Sequence, residues 1–407
     1  MSVNEPWHTK DWFTSPWNHD EEVAGGFTFN PNLEIHDVTL RDGEQQAGVV
    51  FTADDKVRIA EALAEAGVHR IEAGLPAVSD ADYEAVKRIA AAGLPSKIYA
   101  FSRCIVDDVK MAVDCGVTGI VCEVPSSRHL IELGYRWSVE RAIEAAVQAT
   151  QYAHEQGLIV SFFPIDATRA SLADYLDIIE QVATGGHIDA LGLVDTFGSL
   201  TPHAVERFVS VTRERFNVPV ETHFHQDYGM GVANSLIAAA MGANVIQTTV
   251  SGIGERAGNT PFEETVIALQ TLYNQNIGIK LESLSPLGRL VCAIAGVEQP
   301  SNRPVTGTRL FDVESGIPAG FIRNTRDTDM TETFPYLPQL VGQSGPTLVL
   351  GKGSGMPNLD EALERLEITA SDAQKLAILK KVKVRSTELR GLVDDNDLVV
   401  IANEVLA

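Results

Sequence analysis

The segment ETHFHQD, residues 221–227, sets two histidines one residue apart in a run that reads as a strand. Side chains alternate along a strand, so His223 and His225 point to one face and Phe224 to the other. Two imidazoles on one face can make ordinary hydrogen bonds. They can also supply two ligands of a metal site whose third ligand comes from elsewhere. TLRDGEQ (39–45) offers the missing carboxylate in Asp42, with Arg41 beside it. One carboxylate and two neutral imidazoles make a mixed N/O site with positions left for water or substrate oxygens. That donor set suits Mg²⁺, Mn²⁺, Co²⁺ or Zn²⁺ and does not choose among them. Open positions imply Lewis-acid chemistry on a carbonyl. Arg41 could neutralise a developing enolate or alkoxide.

Such residues need a frame that brings distant segments together. Strand-like runs alternate with helix-like runs at a pitch of roughly thirty residues, the pattern of βα units. Strands are predicted at 33–40, 69–74, 97–102, 118–124, 158–166, 189–195, 218–225 and 244–252. Amphipathic helical stretches lie between them, among them 54–67, 138–157 and 233–243. Eight such pairs over about 250 residues predict an α/β fold, a (β/α)8 TIM barrel. A doubly wound sheet is the alternative, but RDGEQQAG follows the first strand where a Gly-rich phosphate loop would stand. The expected divisions are an N-terminal extension (1–30), the barrel (31–285), a linker or lid region (286–357) and a helical C-terminal subdomain (358–407).

In a barrel of this kind chemistry gathers at the C-terminal ends of the strands. Polar residues collect there: Arg41 and Asp42 after the first strand, Glu72 on the second, Ser102-Arg103 on the third. Glu123, Ser126, Ser127 and His129 follow on the fourth, and Asp166, Thr168 and Arg169 on the fifth. Asp195-Thr196 end the sixth, His223 and His225 the seventh, and GIGERAGN (252–259) follows the eighth. Taken singly, Ser126, Ser127 or Asp166 reads equally well as a cap or turn residue. Together they form a rim.

The 407-residue chain is 44% hydrophobic and carries a formal charge of −23, which speaks against nucleic acid or an anionic membrane as partner. No apolar run is long enough to span a bilayer, and the start lacks the regions of a signal peptide. Four scattered cysteines without a CxxC suggest neither a disulfide framework nor a zinc knuckle, so a reduced cytoplasm is expected.

TLRDGEQ (39–45), IEAGLPAVS (71–79), DATR (166–169), DTFG (195–198), HFHQD-G-ANS (223–235) and GIGERAGN (252–259) resemble, in order and spacing, the DRE-TIM metallolyases of the HMGL-like superfamily. That superfamily includes 2-isopropylmalate, homocitrate and citramalate synthases, hydroxymethylglutaryl-CoA lyase and 4-hydroxy-2-oxoacid aldolases. The resemblance implies a divalent metal held by Asp42, His223 and His225, with Asn259 as a fourth, sometimes water-linked ligand. It makes Arg41 the catalytic arginine and places Glu72 and Thr196 where the synthases hold the 2-oxoacid. Gln45 and Arg169 complete the substrate-binding candidates. GIGERAGN looks like the acetyl-CoA-dependent synthase branch, since the lyases have a cysteine in this loop and the aldolases read HxHNN and GAGAGN. A Claisen-type condensation of an acyl-CoA with a 2-oxoacid is therefore expected, in a homodimer.

The chain departs from that branch at two points. Synthases carry a Glu before the DATR-like segment, here Ile165, and a C-terminal SGIH whose place reads SGIP, with Pro318. Neither isoleucine nor proline exchanges protons. A synthase built this way needs another base, for which His129, Glu123 and Tyr135 are candidates. The alternative is a CoA-independent, metal-dependent lyase or aldolase acting on a 2-hydroxy or 2-oxo polycarboxylic acid. About fifty residues follow GKGSG, so feedback through a long regulatory domain is not expected.

Overall fold

Strands rich in β-branched residues alternate with alanine-rich helices, and in the computed structural model, which describes residues 5–407, eight parallel strands close into one barrel. In order they are β1 (Glu34–Asp37), β2 (Arg70–Glu72), β3 (Lys97–Ser102), β4 (Gly119–Pro125), β5 (Ile159–Ile165), β6 (Ala190–Asp195), β7 (Val220–Phe224) and β8 (Val245–Thr248). β8 closes on β1, with His36 beside Gln247 on one side and Arg70 on the other. After a single turn, α1 (Glu21–Ala24), the crossovers carry α2 (Ala53–Ala66), α3 (Asp80–Ala91), α4 (Val106–Cys115), α5 (Val139–Glu155), α6 (Leu172–Gly185), α7 (Pro202–Arg215) and α8 (Gly231–Ala240). α9 (Phe262–Leu272) and α10 (Leu284–Ala295) follow β8. The fold is the predicted (β/α)8 barrel.

Local signals set the helix ends. Thr52 and Asp55 form a reciprocal capping box at the start of α2, and Gly67 stops it in the left-handed conformation. Ser79, Ser138 and Ser171 cap α3, α5 and α6 through their hydroxyls, each accepting from the backbone N–H three residues on. The helices bury one face against the outer faces of the strands, with Ile59, Leu63, Ile89, Val109 and Ile178 at or near zero exposure. Each such side chain contributes roughly 1.5–3 kcal/mol.

The barrel interior is less uniform. Toward its base Arg70 pairs with Glu34 and with Glu221 (2.7 Å), and Ser161 donates to Glu221 at 3.1 Å. Space for the inner aromatic rings is made by two glycines. A Cβ on Gly119 would come within 2.4 Å of the Tyr99 ring, and one on Gly192 within 2.8 Å of Phe163.

The chain divides into two compact units: Trp17–Gln299, which holds the barrel, and Pro300–Ala407 together with the residues up to Pro16. Residues 286–295, at the start of the expected linker, thus lie in α10 of the barrel unit. The leader is shared between the units. Trp12 bridges to Tyr336 and the Phe13 N–H donates to Pro335 O, whereas Thr28 N–H donates to Ala240 O in the barrel.

In the smaller unit β9 (Asp312–Val313) and β10 (Thr347–Leu348) pair in parallel, and the helices are α11 (Gly316–Thr325), α12 (Met356–Arg365), α13 (Asp372–Leu389) and α14 (Asp395–Leu406). Leu359, Leu363, Ile378, Val382, Leu398 and Ile401 form its core. Pro318 is the third residue of α11 and exposed, in the first turn where an absent N–H costs no hydrogen bond.

Candidate active site at the barrel mouth

Asp42 stands four residues beyond the last barrel pairing of β1–β8 around Val38, at the N-cap of a short 3₁₀ turn, Gly43–Gln45. The turn aims its carboxylate into the mouth, where β7 delivers both histidines. Asp42 Oδ2 lies 3.5 Å from His223 Nε2 and 4.0 Å from His225 Nε2. One ligand atom from each of the three residues fits within 4.8 Å of the others, and all three are buried.

The surroundings suit a cation. His223 Nδ1 lies 2.8 Å from Gln247 Oε1. A proton on Nδ1 donated to that oxygen leaves the Nε2 lone pair facing Asp42, the orientation a metal-binding imidazole requires. Burial pulls His225 down to about 4 against the pull of Asp42, so its ring is neutral at neutral pH. Burial opposes ionisation of Asp42, but Arg41 and the two histidines hold its carboxyl well below the usual range. Asn259 Nδ2 donates to Asp42 Oδ1 at 2.6 Å, and its Oδ1 is buried with no partner among the described residues. Gly254, at φ +147, keeps the space open: a Cβ there would sit 2.3 Å from Asn259 Nδ2 and 3.0 Å from Asp42 Oδ1. A carboxylate oxygen, two imidazole nitrogens and an unsatisfied amide oxygen are a fitting donor set for a divalent ion.

Arg41 is held on several sides. Its Nε pairs with Glu72, its Nη1 donates to Asp42 Oδ2 at 2.9 Å and to Gln45 Oε1 at 3.1 Å, and the guanidinium lies 4.4 Å over the Phe101 ring. Glu72 is in turn 3.6 Å from His36. Arg41, Asp42, Gln45, Glu72, His223, His225 and Asn259 therefore form one constellation.

A second group centres on Asp166, which sits at φ 59 just after β5. Arg169 reaches both its oxygens (2.6 and 3.1 Å), Ser127 donates to it, and His129 Nε2 lies 3.0 Å away. The Asp166 N–H donates to Thr196 Oγ1 at 2.8 Å. Arg169 also lies 3.6 Å over the Phe197 ring. His129, Arg169 and Thr196 are thus gathered around one carboxylate rather than around Arg41.

Between the groups runs an apolar wall of Phe101, Val121, Phe163 and Val194, against which the half-buried Leu75 and Ile165 pack. The Phe163 ring meets His223 edge-on at 6.0 Å. Glu123 rises on the inner face of β4 beside Phe163. Burial pushes its carboxyl up to about 7, with Arg41 and His223 opposing and Asp42 and Glu72 adding to the rise. Gln247, which orients His223, is absent from the candidates raised by sequence. A polar residue at an inward position of VIQT was the available signal.

The profile of the HMGL-like family matches residues 32–291. The chain belongs to this family. It is 38% identical to the protein named homocitrate synthase AksA of Methanopyrus kandleri over 373 residues, 91% of this chain and 92% of that one. The (R)-citramalate synthase CimA of Methanocaldococcus jannaschii is 37% identical over 375 residues, 92% of this chain and 74% of the relative. A probable 2-isopropylmalate synthase of M. kandleri is 38% identical over 353 residues, 86% of this chain and 69% of the relative. Among solved structures, an HMG-CoA lyase of Bacillus subtilis superposes with a TM-score of 0.60 at 20% identity, covering 67% of this chain and 96% of the lyase. That likeness is one of fold. Within this HMGL-like barrel, the loop after β8 lacks cysteine, and all four cysteines are buried free thiols elsewhere.

Proposed function

We propose that the chain is a Claisen-type synthase that joins an acyl-CoA, acetyl-CoA in the first instance, to a 2-oxoacid and releases a 2-alkylmalate-type product. The observation that carries this reading is the buried constellation of Arg41, Asp42, His223, His225 and Asn259 in a barrel whose relatives bear synthase names. Asp42, His223 and His225, with Asn259, would hold a divalent cation of the Mg, Mn, Co or Zn kind. When bound, that ion polarises the keto group of the 2-oxoacid. Arg41, fixed by Glu72 and Gln45, offers its guanidinium to the oxygen on which charge develops. Thr196 and Arg169 would hold the acid's carboxylate from the other side of the mouth. Among the described residues no helix is long and apolar enough to cross a membrane. A homodimer in a reduced cytoplasm is the setting we propose.

Ile165 favours a second reading. It packs into the apolar wall and takes no proton, so a CoA-independent lyase or aldolase on a 2-hydroxy or 2-oxo acid is the alternative. One experiment separates the two: metal-loaded protein is mixed with acetyl-CoA and a panel of 2-oxoacids, and free thiol is followed. Release above background with at least one acid is expected. Background release with all of them overturns the synthase reading in favour of the lyase class.

A further inference from the structure

Joining an acyl thioester to a keto carbon requires a group that removes a proton from the acyl carbon. The mouth of the barrel holds several carboxylates, and nearly all are occupied. Arg41 engages Asp42 and Glu72. Arg169, Ser127 and His129 converge on Asp166. Asp195 accepts from Thr168 and from the N–H groups of Ser199 and Leu200, and Arg256 clamps Asp227 through both oxygens. Glu123 differs. Among the described residues no hydrogen bond or ion pair reaches its carboxylate. It shares the inner face of β4 with Val121, stands in register with Phe163, and is only partly buried. It is a proton acceptor set in an apolar wall, open to the mouth and within the field of Arg41 and His223.

We propose that Glu123 is the catalytic base of the condensation, taking the proton from the carbon next to the acyl thioester carbonyl. The inference rests on the synthase reading above. The C–H electron pair is released as the thioester enolate, and that carbon forms the new bond to C2 of the 2-oxoacid. The keto π pair moves to its oxygen, which takes up a proton. Water then cleaves the thioester and frees the CoA thiol and a carboxylate, so no oxidant or reductant is needed. The rival acceptors are less suited. His129 Nε2 is turned to Asp166 at 3.0 Å, and burial pushes the Tyr135 hydroxyl up to about 12, with the Glu123 charge adding to it. The elevated proton affinity of Glu123 brings it near the operating pH, where a general base works best. Ile165 faces the same wall two residues along β5 from Phe163, so the carboxylate sits one strand over from where the synthases carry theirs.

The test reads the proton-transfer step alone. Metal-loaded protein is incubated in D2O with acetyl-CoA and oxamate, an unreactive stand-in for the 2-oxoacid, and deuterium entering the methyl group is followed by mass spectrometry. Wild type should exchange the methyl protons. Glu123→Gln should lower the exchange by at least about a hundredfold, within the range for removal of a general base. Its metal content and its KM for the 2-oxoacid should stay as in wild type. Returning a carboxylate to the wall in Glu123→Gln/Ile165→Glu should restore exchange, which a merely structural role would not do. Exchange at the wild-type rate in Glu123→Gln overturns the proposal, as does loss of exchange that follows loss of metal. Thiol release by wild type with an unimpaired Glu123→Gln variant sinks this inference alone. Absence of thiol release by wild type sinks the synthase reading and this inference with it.

Discussion

The two sides of the barrel mouth are built on opposite principles. On the β1, β7 and β8 side, charge is crowded and the carboxylates are paired: Arg41 on Asp42 and Glu72, Asn259 on Asp42, with Gln247 on His223. On the β3, β4 and β5 side the surface is Phe101, Val121 and Phe163, and the carboxylate set among them, Glu123, has no partner among the described residues. The outcome for two acids on one rim is opposite. Asp42 is held ionised well below its usual range, and Glu123 is pushed up to about 7. Partners fix a charge, as a metal ligand requires, whereas an apolar setting raises proton affinity toward neutrality, as an acid–base group requires. Pairs of groups whose surroundings drive their proton affinities apart are the mark of divided catalytic labour.

The largest effect should come from the charged side. His223→Ala or His225→Ala removes one of three convergent donors, and metal content measured after dialysis should fall from stoichiometric to trace, with turnover lost alongside. Wild-type metal content in both variants would place the ion elsewhere and leave the histidines as ordinary hydrogen-bonding residues. Arg41→Ala comes next. Deleting one preorganised oxyanion donor costs about a hundredfold in turnover. Here it also strands Glu72, which is fully buried, and breaking a buried pair costs on the order of 3–5 kcal/mol. Activity and stability should therefore fall together. Arg41→Met with Glu72→Gln should recover melting temperature without recovering turnover, and recovery of both would deny Arg41 a chemical role. Gln247→Leu is milder: losing the partner that orients a ligand imidazole typically weakens metal affinity 10–100-fold. Calorimetric titration with Mn²⁺ or Zn²⁺ should show that loss, and unchanged affinity would mean His223 keeps its orientation by packing alone.

Much of this was readable from sequence, for identifiable reasons. The eight strands follow from period-two and β-branched runs separated by capped helices, signals that are local. ETHFHQD and TLRDGEQ also declare themselves locally, because alternation fixes which face each side chain takes. What could not be read is which acid lacks a partner. Glu123 and Asp166 look alike as single letters near a strand's end, and only the closed barrel shows Arg169, Ser127 and His129 converging on one and, among the described residues, nothing on the other. The polar base of the barrel was equally hidden, since Arg70, Glu34 and Glu221 come from three strands far apart in sequence. Nor does a leader of mixed polarity reveal that Trp12 and Phe13 pair with the segment around Tyr336.

A last, smaller effect provides a control for the comparison. Asp37 on β1 is fully buried, accepts from the Thr39 N–H at 2.9 Å, and is pushed up to about 7 by burial, which the Thr39 hydrogen bonds oppose. It shares that elevated proton affinity with Glu123 but lies outside the metal-type constellation, five residues before Asp42. Both acids bind a proton in the folded chain at pH values where the unfolded chain has lost it. Between about pH 4 and 7 the folded state thus holds the extra protons, and stability should decline as pH rises through that window. Each tenfold change in proton affinity is about 1.4 kcal/mol, so Asp37 accounts for a few kcal/mol at most. Asp37→Asn keeps the acceptor for Thr39 and removes the titration, so its melting temperature should fall less than that of wild type between pH 5 and pH 8. Methyl-proton exchange should instead retain its decline on acidification through about pH 7, because the group that must lose its proton there is Glu123. If Asp37→Asn flattened the exchange profile and left the melting curve unchanged, the two carboxyls would have exchanged roles, and the contrast between the sides of the mouth would fail.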